Sequence, residues 1–554
     1  MSGKERKKNY KKAKRKYTTL WKTMTIVCFI LTLLTGILTP VLGMFDNALS
    51  VFVGGEFYEL VNADESAVYY EPDFNTKEEM LEYGSMICQQ TEAEGAVLLT
   101  NKNNALPLVE GSRVSCFSTS SVNLVYGGTG SASIDASKAV NLKEALEKSK
   151  FEVNETLWNF YLSDAVSEYH RTEAGLLPTA SEVCEAPWSV YTEDVKASVE
   201  AYGDAALVVL FRVGGEQMDL EYVSSDYLDL DKNEEELLLN VCQMKEEGKI
   251  NKVIVLLNSS NALEMEFLKE YEIDACLWIG GVGESGIYAV AEILAGNVNP
   301  SGRLTDTYAY DNFSAPAMWN FIPDTYVGYE EGVIPASATK YVVYQEGIYV
   351  GYRYYETRYE DFVMGKGNAG DYNYSETVAF TFGYGLSYTD FAYSDMTVTY
   401  DEMSDQYEVT VTVTNTGNHA GKEVVQLYVQ SPYTEYDIEH GVEKSSVMLC
   451  GFEKTKQLEP GASEIVTIFA DRRDIASYDA YGAGTYILDA GDYYFTVASD
   501  AYGAVNNVLA AKGHTVENTS GRMTADGNAE AVWKKLWQNW MPQLMQYQRM
   551  VQRL

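Results

Sequence analysis

The feature that most constrains the fold is a regular alternation of apolar runs with helix-patterned segments between residues 96 and 296. Residues 205–211 are entirely apolar, which is typical of a strand buried on both faces of a parallel sheet. The pattern predicts strands over 96–100, 113–119, 205–211, 252–257 and 274–279, and helices over 141–149, 155–169, 192–202, 233–247, 262–270 and 287–296. Because helices separate the strands, right-handed βαβ units are expected, and we predict an α/β sandwich with a mainly parallel sheet over residues 81–305.

A carboxylate follows the predicted strand 205–211 almost at once. Arg212 comes directly after the strand, and Gly214 and Gly215 then precede Glu216, with Asp219 three residues further on. Functional residues of open α/β sheets lie on loops beyond the carboxyl ends of strands, so Glu216 stands where a catalytic carboxylate would be presented. From position alone, a solvated loop glutamate is the commoner alternative.

The second half of the chain has a different pattern. Residues 306–392 form a Tyr- and Gly-rich connector to which no regular element is assigned. Residues 393–505 alternate with period two between turns, which predicts an all-β, immunoglobulin-like sandwich. The tail, 506–554, contains three closely spaced tryptophans and no acidic residue after Glu530. We interpret its end either as an amphipathic interfacial helix or as an out-of-frame sequence.

The N-terminus predicts a membrane segment. Residues 1–23 are a basic tail, and residues 24–45 carry no charge before Asp46, enough to span roughly 30 Å of hydrocarbon as a helix. Basic residues on the N-terminal side predict a cytoplasmic N-terminus, so a single-pass cell-membrane protein with an extracellular main body is expected. A cleaved signal peptide is the alternative, but no small-x-small site follows the apolar run. Residues 46–80 are predicted to be an extended approach segment.

Charge and composition exclude several function classes. With ten basic residues and one acidic residue in positions 1–22, the remainder holds 32 basic and 79 acidic residues, a net charge of −47. Such a surface repels phosphate backbones, so no nucleic-acid partner is expected, whereas neutral sugars meet no such penalty. The seven cysteines show no CxxC spacing and the four histidines are scattered, so no metal or other cofactor is predicted.

Two glycine-rich segments have some features of nucleotide-binding loops. Residues 281–286, GVGESG, follow a strand, open a helix and precede Asp306 by twenty residues, as in a dinucleotide fingerprint. We favour a tight strand-to-helix turn, because no second strand separates the segment from Asp306. Residues 127–131, GGTGS, would let a ligand approach the backbone but lack the ending of a phosphate loop.

Several segments in a fixed order resemble the family 3 glycoside hydrolases, the β-glucosidase group. The matching segments of the α/β part are EGAVLLTNKNNALPL (94–108), GGTGS (127–131), RVGGEQMDL (212–220), VIVLLNSSNALEM (253–265), LWIGGVGESGIYAVAEILAGNVNPSGRL (277–304), EGIYVGYRYYET (346–357) and FTFGYGLSYTDF (380–391). In the β part, VTVTNTGNHAGKEVVQLYV (411–429) and LCGFEKTKQLEPGASEIV (449–466) resemble the family's fibronectin type III-like module.

The resemblance implies hydrolysis of O-glycosyl bonds, with Glu216 as general acid/base. Arg212 and Asp219 are candidates for substrate binding. In this family the nucleophile is an Asp on a (β/α)₈ barrel, usually in a Ser-Asp-Trp context, which does not occur here, so no nucleophile is assigned and little turnover is expected from this chain alone. The alternatives are a non-catalytic, membrane-anchored carbohydrate-binding module and one half of a split glycosidase completed by a barrel-bearing partner. A truncated or frame-shifted enzyme is a further interpretation.

Overall fold

The structure, a computed structural model, describes residues 3–44, 72–171, 184–214, 228–321, 324–326, 340–367, 369–538 and 541–543. The chain divides into two units, residues 1–76 and 77–554. In the first unit one helix, α1, runs over Gly3–Met44, and its segment Gly3–Gly36 is long and apolar enough to cross a membrane. A signal sequence and an anchor both satisfy that test, so the anchor over 24–45 stays a prediction. Most of the approach segment, residues 45–71, lies outside the described residues.

The second unit begins with the α/β domain. Its helices are α2 (Lys77–Gly95), α3 (Leu142–Lys148), α4 (Glu155–Tyr161), α5 (Glu193–Ala201), α6 (Lys232–Glu246), α7 (Phe267–Glu270) and α8 (Ile287–Leu294). Its strands are β1 (Val97–Asn101), β2 (Arg113–Phe117), β3 (Glu152–Val153), β4 (Ala205–Arg212), β5 (Val253–Ser259) and β6 (Ala275–Trp278). The alternation predicted from the sequence is therefore confirmed.

The six strands form one sheet in the order β1-β6-β5-β4-β2-β3. Strands β2 to β6 are parallel to their neighbours, and β1 pairs antiparallel with β6 at one edge. The prediction of a mainly parallel sheet is thus confirmed, with an antiparallel edge strand.

Helices cover both faces of this sheet, as strand β4 shows. Its alternate side chains enter two different cores. Ala206, Val208 and Leu210 pack in one core with residues of α4, α5 and α6, whereas Leu207 and Val209 pack in the other with residues of α3 and α8. Because both faces of β4 are buried, its sequence is a continuous apolar run.

The connector 306–392 contains regular elements that its sequence did not lead us to assign. They are β7 (Tyr308–Ala309), α9 (Pro316–Phe321), β8 (Asp324–Thr325), β9 (Lys340–Tyr341), α10 (Tyr352–Met364), α11 (Tyr374–Thr377) and β10 (Val378–Phe380). Helix α10 buries Tyr355, Tyr359 and Val363, which share one face at a spacing of four residues. Its apolar stripe consists largely of tyrosines, so it is easily read as an irregular polar segment.

The β-sandwich follows. Its strands are β11 (Phe391–Asp401), β12 (Gln406–Asn415), β13 (Val424–Gln430), β14 (Met448–Lys454), β15 (Ser463–Asp471), β16 (Ser477–Asp479), β17 (Thr485–Leu488), β18 (Gly491–Ala498), β19 (Val532–Trp537) and β20 (Met541–Gln543), with helices α12 (Glu435–His440) and α13 (Ala501–Ala511). Sheets β11-β12-β15 and β14-β13-β18-β19 share one core, to which Val409 and Phe495 contribute from opposite sheets. The prediction that an all-β part follows the α/β domain is confirmed, and its strands pair antiparallel.

The tail differs from the prediction. The interfacial-helix interpretation is wrong for Val532–Trp537, which form an edge strand paired antiparallel with β18. Trp533 packs on Phe495, with ring centroids 5.6 Å apart. The sandwich therefore extends beyond residue 505. The sequence did not predict this strand, because its tryptophans and lysines obscure the period-two pattern. Residues 544–554 lie outside the described residues.

Two ion pairs, one buried and one partly exposed, join the sandwich to the α/β domain. Arg303 contacts Glu423 at 2.7 Å, with side chains only 9% and 5% exposed. Lys454 of β14 contacts Glu94 of α2 at 2.6 Å. Both pairs therefore stabilise the contact between the α/β domain and the sandwich.

Candidate active site

The residues that precede the candidate carboxylates in the sequence lie at the edge of the sheet where the parallel strands end. Gly214 lies two residues beyond the end of β4, and Glu216 and Asp219 belong to residues 215–227, which lie outside the described residues. The geometry of the two carboxylates therefore stays a prediction. What the structure does describe is how both ends of this loop are held.

Three hydrogen bonds hold the described residues on either side of 215–227. At its start, the amide of Gly214 donates to the side-chain oxygen of Asn261, at 3.3 Å. At its end, the amide of Glu264 donates to the carbonyl of Leu228 at 3.0 Å, and the Arg212 guanidinium donates to the carbonyl of Asp229. Contacts of Arg212, Asn261 and Glu264 thus fix the described residues on either side of 215–227.

Arg212 also forms a buried ion pair with Glu234 near the start of α6. Its two terminal nitrogens donate to the two carboxylate oxygens at 2.9 and 2.8 Å, and each side chain is only 3% exposed. Glu234 in turn accepts from the amide of Asp231 and so completes the capping box of α6. The guanidinium is committed to protein partners, and substrate binding by Arg212 stays a prediction.

Asn258, near the end of β5, joins two loops at the same edge, a role that was not predicted from the sequence. Its fully buried side chain accepts from the amide of Val125 at 2.6 Å and donates to the carbonyls of Val125 and Gly280 at 2.9 and 2.6 Å. These contacts tie the end of β5 to the loops that follow β2 and β6. The only signal in the sequence is a polar residue closing an apolar run.

Two buried carboxyl groups near this edge were also missed. Glu185 accepts from the amides of Thr119 and Ala186 at 3.1 and 2.9 Å, and burial raises its pKa to about 8. Glu264 accepts from the amide of Asn312 at 2.7 Å, and burial raises its pKa to about 7. Both carboxyl groups are proton-binding groups at neutral pH, and both are held by backbone donors.

Two glycines of GVGESG lie so close to neighbouring protein atoms that a side chain would not fit. A Cβ on Gly283 would lie 2.6 Å from the sulfur of Cys88, and one on Gly286 would lie 2.3 Å from the carbonyl of Val282. The loop also packs on the neighbouring one, because the amide of Gly283 donates to the carbonyl of Tyr126 at 2.7 Å. These contacts are those of the tight turn favoured above. Among the described residues, no group of three His, Cys, Asp or Glu side chains could hold a metal ion.

Comparison with known proteins gives two domain matches. Residues 96–352 match the glycosyl hydrolase family 3 C-terminal domain, and residues 423–501 match the fibronectin type III-like domain. The chain is 32% identical over 420 residues to a β-glucosidase from Ruminococcus albus, a match that covers 75% of this chain and 39% of that protein. It is 31% identical over 444 residues to β-glucosidase A from Butyrivibrio fibrisolvens, covering 73% of this chain and 48% of that protein.

Solved structures agree with these matches. β-Glucosidase 3B from Thermotoga neapolitana, in complex with α-D-glucose, superposes with a TM-score of 0.62 at 31% identity, covering 76% of this chain and 53% of that one. A β-glucosidase from Paenibacillus barengoltzii gives a TM-score of 0.61 at 30% identity, covering 75% of this chain and 42% of that one. The chain spans between about two fifths and one half of the length of these relatives. Residues 96–352 of this chain therefore form a C-terminal domain of the glycosyl hydrolase family 3 type, and residues 423–501 form a fibronectin type III-like domain.

Proposed function

We propose that this chain is the acid/base-bearing part of a β-glucosidase-type glycoside hydrolase and that it acts on a non-reducing terminal β-linked glucose or a similar sugar. The observation that supports the proposal is the bracing of the residues that flank 215–227 in the sequence. Arg212, Asn261 and Glu264 hold Gly214, Leu228 and Asp229 near the carboxyl edge of the sheet. The β-glucosidase relatives, about 30% identical, support the substrate class.

In this proposal Glu216 works with a second carboxylate from outside the chain. Retaining glycosidases use two carboxyl groups about 5–5.5 Å apart. The Asp nucleophile attacks the anomeric carbon while Glu216 gives its proton to the departing glycosidic oxygen, and the ionised Glu216 then takes a proton from the water that releases the sugar. One carboxylate alone cannot perform both displacements, so a barrel-bearing polypeptide would supply the Asp.

The same proposal places the enzyme at the cell surface. The helix α1 would act as an uncleaved anchor through residues 24–45, with the basic N-terminus in the cytoplasm and the acidic body outside. Extraction of membranes with alkaline carbonate tests this: an anchored chain stays in the pellet with its N-terminal residues intact by mass.

The function is tested first with the full chain in mild detergent. We expect saturable glucose binding and negligible release of nitrophenol from aryl β-glucosides. The variant Glu216→Gln should leave that background unchanged, as should Glu221→Gln, a matched carboxylate change in the same loop. Robust hydrolysis by the wild-type chain that is lost in Glu216→Gln would contradict the proposal that another polypeptide supplies the nucleophile. Sugar binding with no activity under any pairing would instead favour the non-catalytic carbohydrate-binding module.

A further inference from the structure

The N-terminal part of α1 presents a basic face. All residues from Lys4 to Lys22 are exposed and helical in the structure. At 100° per residue, eight of the ten basic side chains fall within a sector of roughly 160°. They are Lys4, Lys7, Lys8, Lys11, Lys12, Lys14, Arg15 and Lys22. Positive charge is therefore concentrated on one side of this helix.

An aromatic stripe runs along the rest of the same segment. Tyr10, Tyr17 and Trp21, spaced i, i+7 and i+11, fall within roughly 40° of one another on the helical projection. Their side chains are 68%, 67% and 63% exposed. Arg6 and Lys14 flank the stripe on its two sides. Tyr and Trp beside Lys and Arg are the residues that prefer the boundary between lipid headgroups and acyl chains.

Repulsion between like charges destabilises this helix when no anion is bound to it. Lys or Arg side chains repel one another where they lie four residues apart on a helix. Such pairs are Lys4 with Lys8, Lys7 with Lys11, Lys8 with Lys12, Lys11 with Arg15 and Lys12 with Lys16. Binding of anions along the basic face would remove this repulsion and stabilise the helix.

We propose that residues 4–22, the basic amphipathic segment, bind the headgroups of anionic phospholipids, with the aromatic stripe at the acyl boundary. The inference rests on the membrane anchor proposed above. Trp21 precedes the apolar run by only three residues, about 4.5 Å along a helix, so the segment starts at the membrane surface. The acidic body would lie across the bilayer from this segment, which leaves the lipid headgroups as the complementary charge within reach.

The test uses the full chain in nanodiscs, either of phosphatidylcholine alone or with about 30 mol % phosphatidylserine. Hydrogen exchange of amides in residues 4–22 is followed by mass spectrometry. We expect exchange to be slowed roughly tenfold by the anionic lipid at low salt and to return to the phosphatidylcholine rate at high salt. The combined variant Lys7→Glu, Lys11→Glu, Lys14→Glu, Arg15→Glu should lose the difference between the two lipids.

A matched variant separates the two faces. Changing Tyr10, Tyr17 and Trp21 to Ser keeps every positive charge and should retain the salt-sensitive part of the protection while lowering its total. Equal exchange in both lipids, or protection that survives charge reversal, would overturn the proposal. Protection in detergent without anionic lipid would assign the segment to another copy or to the acidic body and would also overturn it. If the intact mass shows that the N-terminal residues have been removed from the protein, the proposed uncleaved anchor is contradicted instead.

Discussion

Breaking the Arg212–Glu234 pair is expected to destabilise the α/β domain strongly. In Arg212→Met the hydrogen bonds to Glu234, of 2.9 and 2.8 Å, and the one to the carbonyl of Asp229 are lost, and Glu234 stays 97% buried beside a neutral side chain. Removing one partner of a buried ion pair typically costs about 3–5 kcal/mol, because the remaining charge is left without compensation. At roughly 2–4 °C per kcal/mol for a domain of this size, thermal unfolding followed by circular dichroism should shift down by roughly 6–20 °C.

The double variant Arg212→Met, Glu234→Gln provides the control. It removes the unpaired charge while the amide oxygen of Gln still accepts from the amide of Asp231, so the capping of α6 is preserved. We expect it to recover most of the lost stability, since replacing both partners of a buried pair is often nearly neutral. A single variant within about 2 °C of wild type, or a double variant no more stable than the single one, would refute the reasoning.

Three further predictions concern other parts of the second unit. Folded Glu185 has a pKa of about 8 against an ordinary value of 4.5, so it binds more protons folded than unfolded, and stability should fall as pH rises from about 5 to 8. Urea titrations across that range should show this slope in wild type and a smaller slope in Glu185→Gln, in which Glu264, with a pKa raised to about 7, still contributes. Asn258→Ala removes the side-chain partners of the buried Val125 amide and Gly280 carbonyl, whereas the Val125 carbonyl keeps a contact with the Val282 amide at 3.4 Å. It should cost at least about 2 kcal/mol in the same assay, a loss that an unchanged midpoint would contradict. Trp533→Ala should cost about 1–3 kcal/mol, whereas Leu536→Ala on the same strand, 58% exposed, should cost less than about 0.5 kcal/mol; equal effects would show that β19 is not packed.

Much of the scaffold could be predicted from the sequence because its parts have strong periodicity. The continuous apolar run at 205–211 predicted a buried strand, and β4 occupies Ala205–Arg212. Helix α10 was not assigned because its buried face is made of Tyr355 and Tyr359, residues that also occur in irregular segments. Strand β19 was not predicted, because adjacent lysines interrupt the period-two pattern in its six residues, VWKKLW.

The surroundings of the site were harder to predict, because they depend on contacts between distant positions. Asn258 and Val125 are 133 residues apart, and Glu185 and Thr119 are 66 apart. Arg212 was a candidate for substrate binding, and only the fold shows that its guanidinium donates to both carboxylate oxygens of Glu234. Glu216 and Asp219 remain candidates by sequence position and family resemblance.

The most direct test of the central claim is complementation. The full chain is mixed with the part of the Ruminococcus albus β-glucosidase that this chain does not match, and hydrolysis of an aryl β-glucoside is followed. We predict no turnover by either polypeptide alone, turnover on mixing, and its loss with Glu216→Gln but not with Glu221→Gln. Turnover by this chain alone, or activity of the mixture that persists in Glu216→Gln, would contradict the account.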